Sequence, residues 1–280
     1  MIAATVLSAA LAPHVVFVIG DHEYRSEESM PMLAQMVQKE FGYRTSICAS
    51  RNRKGQFDPN NVGSINDLEA LKTADLAIFF MRFRKLPDWQ LKIITDYIDS
   101  GKPAIGFRTS THLFQYGEGS EFDFEWPKRV FGQGWITHHG HFGDNNEFLT
   151  DVTVADNEHE IMSGLEPFQS FSWLYHVIGP QDTMGENCTP LMTGKALKTG
   201  HGETHERFPI TNPVAWTKFN GEQRVFFTTL GHPYDFKDVN MRRLTMNAIL
   251  WSLREPVPEG GTKAELPGPY DPSPSGFIKD

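Results

Sequence analysis

HVVFVIG, His14–Gly20, runs into DHEYRS, Asp21–Ser26, and then into MPMLAQMVQKEF, Met30–Phe41. A short apolar strand, a polar loop and an amphipathic helix with apolar residues at Met32, Leu33, Met36 and Val37 follow from that order. The same alternation continues downstream. A strand is expected at Thr45–Ala49, then a polar surface excursion from Arg51 to Gly63, a helix at Ile65–Lys72 and a strand at Asp75–Phe80. Pro87 opens a further helix that runs to Ser100 and closes at Gly101, ahead of a strand at Pro103–Gly106. Strands alternating with helices imply parallel pairing through right-handed crossovers, so the first 115 or so residues read as a flavodoxin-like, doubly wound α/β half.

The remainder has another texture. Glu118–Asn146 is rich in aromatic residues, glycine and histidine, with one short helix around Trp126–Phe131, and reads as an elaborated active-site insertion. Strand candidates then cluster at Phe148–Ala155, Gln169–Val177, Pro190–Lys195, Pro213–Lys218 and Arg224–Leu230, with few helices between them. Antiparallel additions to a mainly parallel sheet are therefore expected in the C-terminal half. A closing helix spans Asp238–Leu253. Glu255–Asp280 is rich in proline and glycine and lacks periodicity, so it should wrap over the surface or be disordered. The expected layout is an N-terminal extension or signal remnant at 1–13, one α/β domain at 14–254 and a tail at 255–280.

A formal net charge of −9 supplies no Lys/Arg stripe for a phosphate backbone, which argues against nucleic acid and for a small neutral or polar ligand. Cys48 and Cys188 have no CxxC neighbour and form no disulfide framework, so both read as small packing residues. MIAATVLSAALA is apolar and ends in an Ala-x-Ala-like pattern without a basic start, which favours export to the periplasm or exterior over a cytoplasmic location. No later run is long enough to cross a membrane. Oligomeric state is not encoded in any of these features.

Four segments carry candidate chemistry. VFFTTLGHPYDF, Val225–Phe236, ends a strand at a Gly-His-Pro corner and would present His232, with Asp235 just beyond, at the sheet edge where open α/β folds bind ligands. Asp21, His22, Glu23 and Arg25 follow the first strand. In GFRTSTHLF, Gly106–Phe114, a glycine leaves the fourth strand and Thr109 and Ser110 open a helix carrying His112, with Arg108 placed to stabilise negative charge. WITHHGHF, Trp135–Phe142, packs three histidines into four residues. In an extended chain His139 and His141 share a face and His138 takes the other, so a divalent metal on His139 and His141 with a third ligand from elsewhere is one reading and a metal-free polar site the other. Arg82 follows the third strand. Of Tyr175 and His176, strand alternation points only one into a cleft, and His201 and His205 read as solvent-facing loop residues.

GDHEY, the Arg82–Pro87 run, GKPAIGFRTSTHLF, WITHHGHFG, SWLYHV and PVAWTKFNGEQRVFFTTLGHPYDF with RRLTMNAILWSL behind it resemble, in matching order, the ThuA-like (trehalose-utilisation) family over Val15–Leu253. The resemblance implies the class I glutamine-amidotransferase-like α/β fold, with the Gly-His-Pro corner in the place of that superfamily's catalytic histidine. The superfamily's elbow carries a cysteine, whereas Gly106–Ser110 offers Arg108 or Thr109, so glutaminase activity is not expected. Carbohydrate metabolism, with 3-keto derivatives of disaccharides or glucosides as substrates, is what the resemblance implies instead. Isomerisation or elimination beside a carbonyl needs a base and donors for an enediolate. His232 or His139 is the expected base, Arg108 and Arg82 the charge stabilisers, and Glu23 an orienting or proton-shuttling carboxylate. His22, Thr109, Ser110, His112, His138, Tyr175, Trp135 and Asp235 are the expected substrate contacts, with Trp173 adding stacking surface. The alternatives are a non-catalytic carbohydrate-binding module and a hydrolase using Ser110 or Thr109 with a histidine.

Overall fold

The computed structural model describes residues 11–140, 147–154, 158–199 and 206–277. Among the described residues nine strands form one sheet: β1 (His14–Gly20), β2 (Arg44–Ala49), β3 (Leu76–Met81), β4 (Ala104–Phe107), β5 (Thr150–Val154), β6 (Phe168–Ser170), β7 (Cys188–Ala196), β8 (Thr211–Asn220) and β9 (Gln223–Thr228). Their spatial order is β2-β1-β3-β4-β9-β8-β7-β5-β6. The first four and β9 pair in parallel, and from β9 outward every pairing is antiparallel. This is the mixed, doubly wound α/β sheet expected from the sequence.

Strand alternation explains the layers. Val15, Phe17 and Ile19 of β1 point into one core with Leu76, Ile78 and Phe80 of β3, while Val16 and Val18 join Ala77, Phe79 and Met81 in the other. Helices α1 (Ser26–Phe41) and α4 (Val239–Ser252) cover the first face through Leu33, Met36, Leu244 and Ile249. Helices α2 (Asp88–Asp99) and α3 (Glu125–Phe131) cover the second through Ile94, Ile98, Trp126 and Val130. A strand buried on both faces has no polar side to show, which is why β1 and β3 read as continuous apolar runs. Gly42 ends α1 in the left-handed conformation, φ 69°, and returns its N–H to the Gln38 carbonyl.

Several local expectations are corrected. Ile65–Lys72 is a 3-10 turn at Leu68–Thr73 rather than an α-helix, and the helix expected after Gly106 is a five-residue 3-10 turn, Arg108–His112. It is too short to act as a helix N-terminus for an anion. The strand expected over Gln169–Val177 stops at Ser170, because Ser170 and Ser172 turn their hydroxyls to Asp235 and draw the chain out of the ladder; only an isolated bridge, His138 to Tyr175, follows. The tail has no regular structure up to Phe277, yet it wraps back onto the domain at the end of β1 and the start of α1. No described helix is long and apolar enough to cross a membrane.

Candidate active site

The loops at the carboxyl ends of β1, β3, β4 and β9 meet along one edge of the sheet. Sequence order makes this inevitable: parallel strands all end on the same side, so Asp21–Tyr24, Arg82–Arg84, Arg108–His112 and Leu230–Asp235 are neighbours.

Arg108 is the hub. It directly follows β4 and adopts φ 38°, a left-handed conformation that a non-glycine residue tolerates only when its surroundings enforce it. Of the two residues the sequence offered for the elbow, the strained one is Arg108. Its side chain is fully buried and donates to the carbonyls of Trp173 (3.1 Å) and Thr229 (2.7 Å) and to the Tyr24 hydroxyl (3.0 Å). The guanidinium carbon sits 4.3 Å from the Tyr24 ring centre and 4.5 Å from that of Tyr175. The expected direct clamp on substrate is therefore corrected: with no exposed surface, Arg108 positions the two tyrosines.

On one side of the hub lies a charged group. Arg82 pairs with Glu23 (Nε to Oε2, 3.1 Å) and donates to His22 Nε2 at 2.8 Å, while the buried Arg84 lies 3.2 Å from His22 Nδ1. Burial and the two guanidiniums push His22 down to about 4. Glu23 is raised by burial against the pull of Arg82, and Asp21, buried beside Glu23, rises to about 6. Asp21 accepts the backbone N–H groups of Glu23 and Tyr24, which fixes the loop.

His112 lies next to this group, with its ring 4.9 Å from Phe83, 5.4 Å from Trp135 and 6.4 Å from Tyr175. Its protonation pattern follows from the hydrogen-bond network. The Thr111 hydroxyl donates to the Arg108 carbonyl (3.1 Å), so its oxygen must accept from His112 Nδ1 (3.0 Å). The proton is on Nδ1 and the lone pair on Nε2 is free. Burial, then Arg82 and Arg108, hold the ring well below its ordinary value, so it is neutral at physiological pH. His138 stacks on Trp173 at 4.6 Å and Trp135 leaves 39% of its surface exposed beside His112.

His232 borders the hub from the other side, 6.4 Å from Tyr24. Its Nδ1 accepts the Tyr234 N–H at 3.1 Å, which leaves the proton on Nε2, where it is donated to Ser275 Oγ at 2.9 Å. Burial, then Arg108, lowers it to about 3. A ring with one nitrogen bonded as acceptor and the other as donor has no lone pair left for a substrate proton. The expected base role of His232 is corrected on that ground. Asp235 is likewise no substrate contact: its carboxylate accepts from Ser170, Ser172 and the N–H groups of Phe171, Gly231 and His232, and so holds the corner rigid.

The other expected residues divide. Tyr175 enters the site and His176 turns away to Asp182 (2.9 Å), as alternation requires. His139 gives its two ring nitrogens to Thr199 (2.9 Å) and the Pro209 carbonyl (3.1 Å), so its expected roles as base and metal ligand do not fit this arrangement. His141, with His201 and His205, lies outside the described residues. Among the described residues no group of three or more His, Cys, Asp or Glu side chains could hold a metal ion. Ser110 donates to the Phe79 carbonyl (2.9 Å) and accepts from Met81 N–H, so it faces back into the sheet and not toward a histidine; Thr109 Oγ1 is buried without a hydrogen-bond partner. Tyr24, Arg84 and Thr111 were missed by sequence reasoning. GDHEY and MRFRK contained two of them, but nothing in their spacing showed which would turn inward.

The sheet and its edge define a flavodoxin-like α/β protein with a polar, histidine-bearing site at the strand ends. The family profile for trehalose utilisation matches residues 15–252, and the chain belongs to this ThuA family, a carbohydrate-related one. Solved ThuA-like proteins share the fold: one from Bacteroides uniformis ATCC 8492 has TM-score 0.56 at 15% identity over 89% of this chain and 95% of its own. Another, from Parabacteroides merdae ATCC 43184, has TM-score 0.56 at 15% identity over 95% of this chain and 98% of its own. A search of curated proteins by sequence found no match.

Proposed function

We propose that this chain acts on a keto sugar, removing a carbon-bound proton beside the carbonyl of a 3-keto-glycoside, with isomerisation or elimination as the outcome. The supporting observation is the free Nε2 lone pair of His112, fixed by Thr111 and set beside Arg82 and Tyr175. In this reading Nε2 takes the proton from C2 and the bonding pair moves to the C3 oxygen as an enediolate. Arg82, paired with Glu23, and the Tyr175 hydroxyl stabilise that oxygen. Return of the proton from Nε2 to C3, with the O2 proton passing to O3, completes isomerisation; collapse of the enediolate with expulsion of the C1 substituent, which leaves as the alcohol with the proton held at Nε2, completes elimination. Trp135 supplies a face for the sugar ring. Arg108 keeps both tyrosines in place, and His232 acts away from the reacting carbon.

The test is to incubate the protein with methyl 3-keto-glucoside in deuterated water and follow C2 exchange and methanol release by NMR. Exchange or release abolished in His112→Gln is expected. Binding without either would sink the catalytic reading and leave a carbohydrate-binding module.

A further inference from the structure

The tail beyond residue 252 lies outside the part of the chain that the family profile matches. Its described residues are nevertheless fastened at the site by hydrogen bonds. Ser273 N–H donates to Glu28 Oε2 (2.8 Å), Arg25 Nε to the Pro274 carbonyl (3.1 Å), His232 Nε2 to Ser275 Oγ (2.9 Å) and Gly276 N–H to the Glu23 carbonyl (2.7 Å). The last two partners belong to the candidate site. They carry Phe277 to a position 5.5 Å from the His22 ring and 5.2 Å from the Arg82 guanidinium.

Two observations separate a wall from a plug. Phe277 keeps 48% of its surface exposed, as Trp135 keeps 39%, so both residues border the polar group and remain accessible from solvent. Among the described residues the tail bonds Glu23 and His232 and makes no hydrogen bond to His112 Nε2 or the Tyr175 hydroxyl, so it borders the proposed reacting end at Arg82 without engaging the base. An apolar ring against a guanidinium, accessible from solvent, suits the C–H face of a pyranose whose hydroxyls reach the charged groups.

We infer that the C-terminal segment Ser273–Phe277 is a wall of the substrate site, with Phe277 as a sugar-stacking residue that sets specificity and Ser275, held by His232, as the residue that positions it. This rests on the keto-sugar reading. It gives His232 a role that its hydrogen bonds permit: a clasp for the tail.

Steady-state kinetics of the full chain with methyl 3-keto-glucoside tests it. Phe277→Ala should raise KM about five-fold with kcat nearly unchanged, and Phe277→Trp should restore KM. The ring is half exposed, so the variant folds. An unchanged KM would overturn the inference alone, and a lower KM would show the tail to be a cover instead. A wild-type protein that neither binds nor converts this sugar would remove the keto-sugar reading, and the inference with it. Ser275→Ala should move KM in the same direction as Phe277→Ala by a smaller factor, and a fall in KM would count against the clasp.

Discussion

The corners after β4 and β9 look alike in sequence, each a glycine followed within a few residues by a histidine, and they end on adjacent parallel strands. Both histidines are buried and both are held below their ordinary pKa beside Arg108. They differ in what the Nδ1 atom meets. A hydroxyl already committed as donor makes Nδ1 of His112 a donor and leaves the lone pair on Nε2, whereas a backbone N–H makes Nδ1 of His232 an acceptor and turns Nε2 into a donor. The chemistry of a histidine at a strand end is thus set by a neighbour three to four bonds from the reacting nitrogen.

Removing the lone pair should break the comparison most visibly. His112→Gln is expected to lower turnover of the keto sugar by about 10²–10⁴-fold with an unchanged melting temperature, as general-base deletions do; His232→Gln should leave kcat far less affected. Equal losses in both variants would erase the distinction.

The spacing of the two corners depends on β4 and β9 lying side by side without a side chain at Gly106. A Cβ there would come within 2.5 Å of the Phe227 ring on β9. Gly106→Ala should cost about 1–3 kcal/mol in denaturant unfolding, the usual cost of overpacking a core.

The depressed pKa of His232 sharpens the comparison through pH. Between its folded value of about 3 and the ordinary 6.5, the unfolded chain binds a proton that the folded chain does not, so stability is full above 6.5 and falls on acidification. Wild type should lose about 1–2 kcal/mol more than His232→Gln between pH 6.5 and 5, read from chemical unfolding at each pH. The raised Asp21 acts with opposite sign, favouring the fold at low pH until it ionises near 6, and it is common to both proteins.

The finest expected effect is on the tautomer. Thr111→Val removes the oxygen that fixes Nδ1–H of His112 and should lower kcat about ten-fold, with KM unchanged and binding of the sugar intact, as loss of an orienting partner does. A kcat equal to wild type would mean that Nε2 is presented without Thr111.

Much of the fold was legible because a doubly wound sheet writes itself as apolar runs separated by amphipathic helices. His14–Gly20 and Leu76–Met81 needed only periodicity to be placed. The 3-10 turns at Leu68–Thr73 and Arg108–His112 were not legible, since a single turn leaves no period to read. The site's membership was largely visible in the strand-end loops, but its roles were not: His112, His139 and His232 are the same residue type, and only their hydrogen-bond partners, 1 to 70 residues away, separate a ring with an open Nε2 lone pair from two rings bonded at both nitrogens. Ser275 and Phe277 carried no signal, because a tail that pairs through single contacts has neither alternation nor helical spacing.

Arg108 has one more consequence, and it concerns the order of assembly. Its three acceptors lie 65, 121 and 84 positions away in sequence. Before those segments dock, the guanidinium has no reason to leave water and the strained turn has nothing to hold it. A chain that has folded only its parallel half has the strand ends but not the tyrosine stack. The residue thus serves as a completeness check, with the site forming only in molecules whose N-terminal and C-terminal halves have both come home.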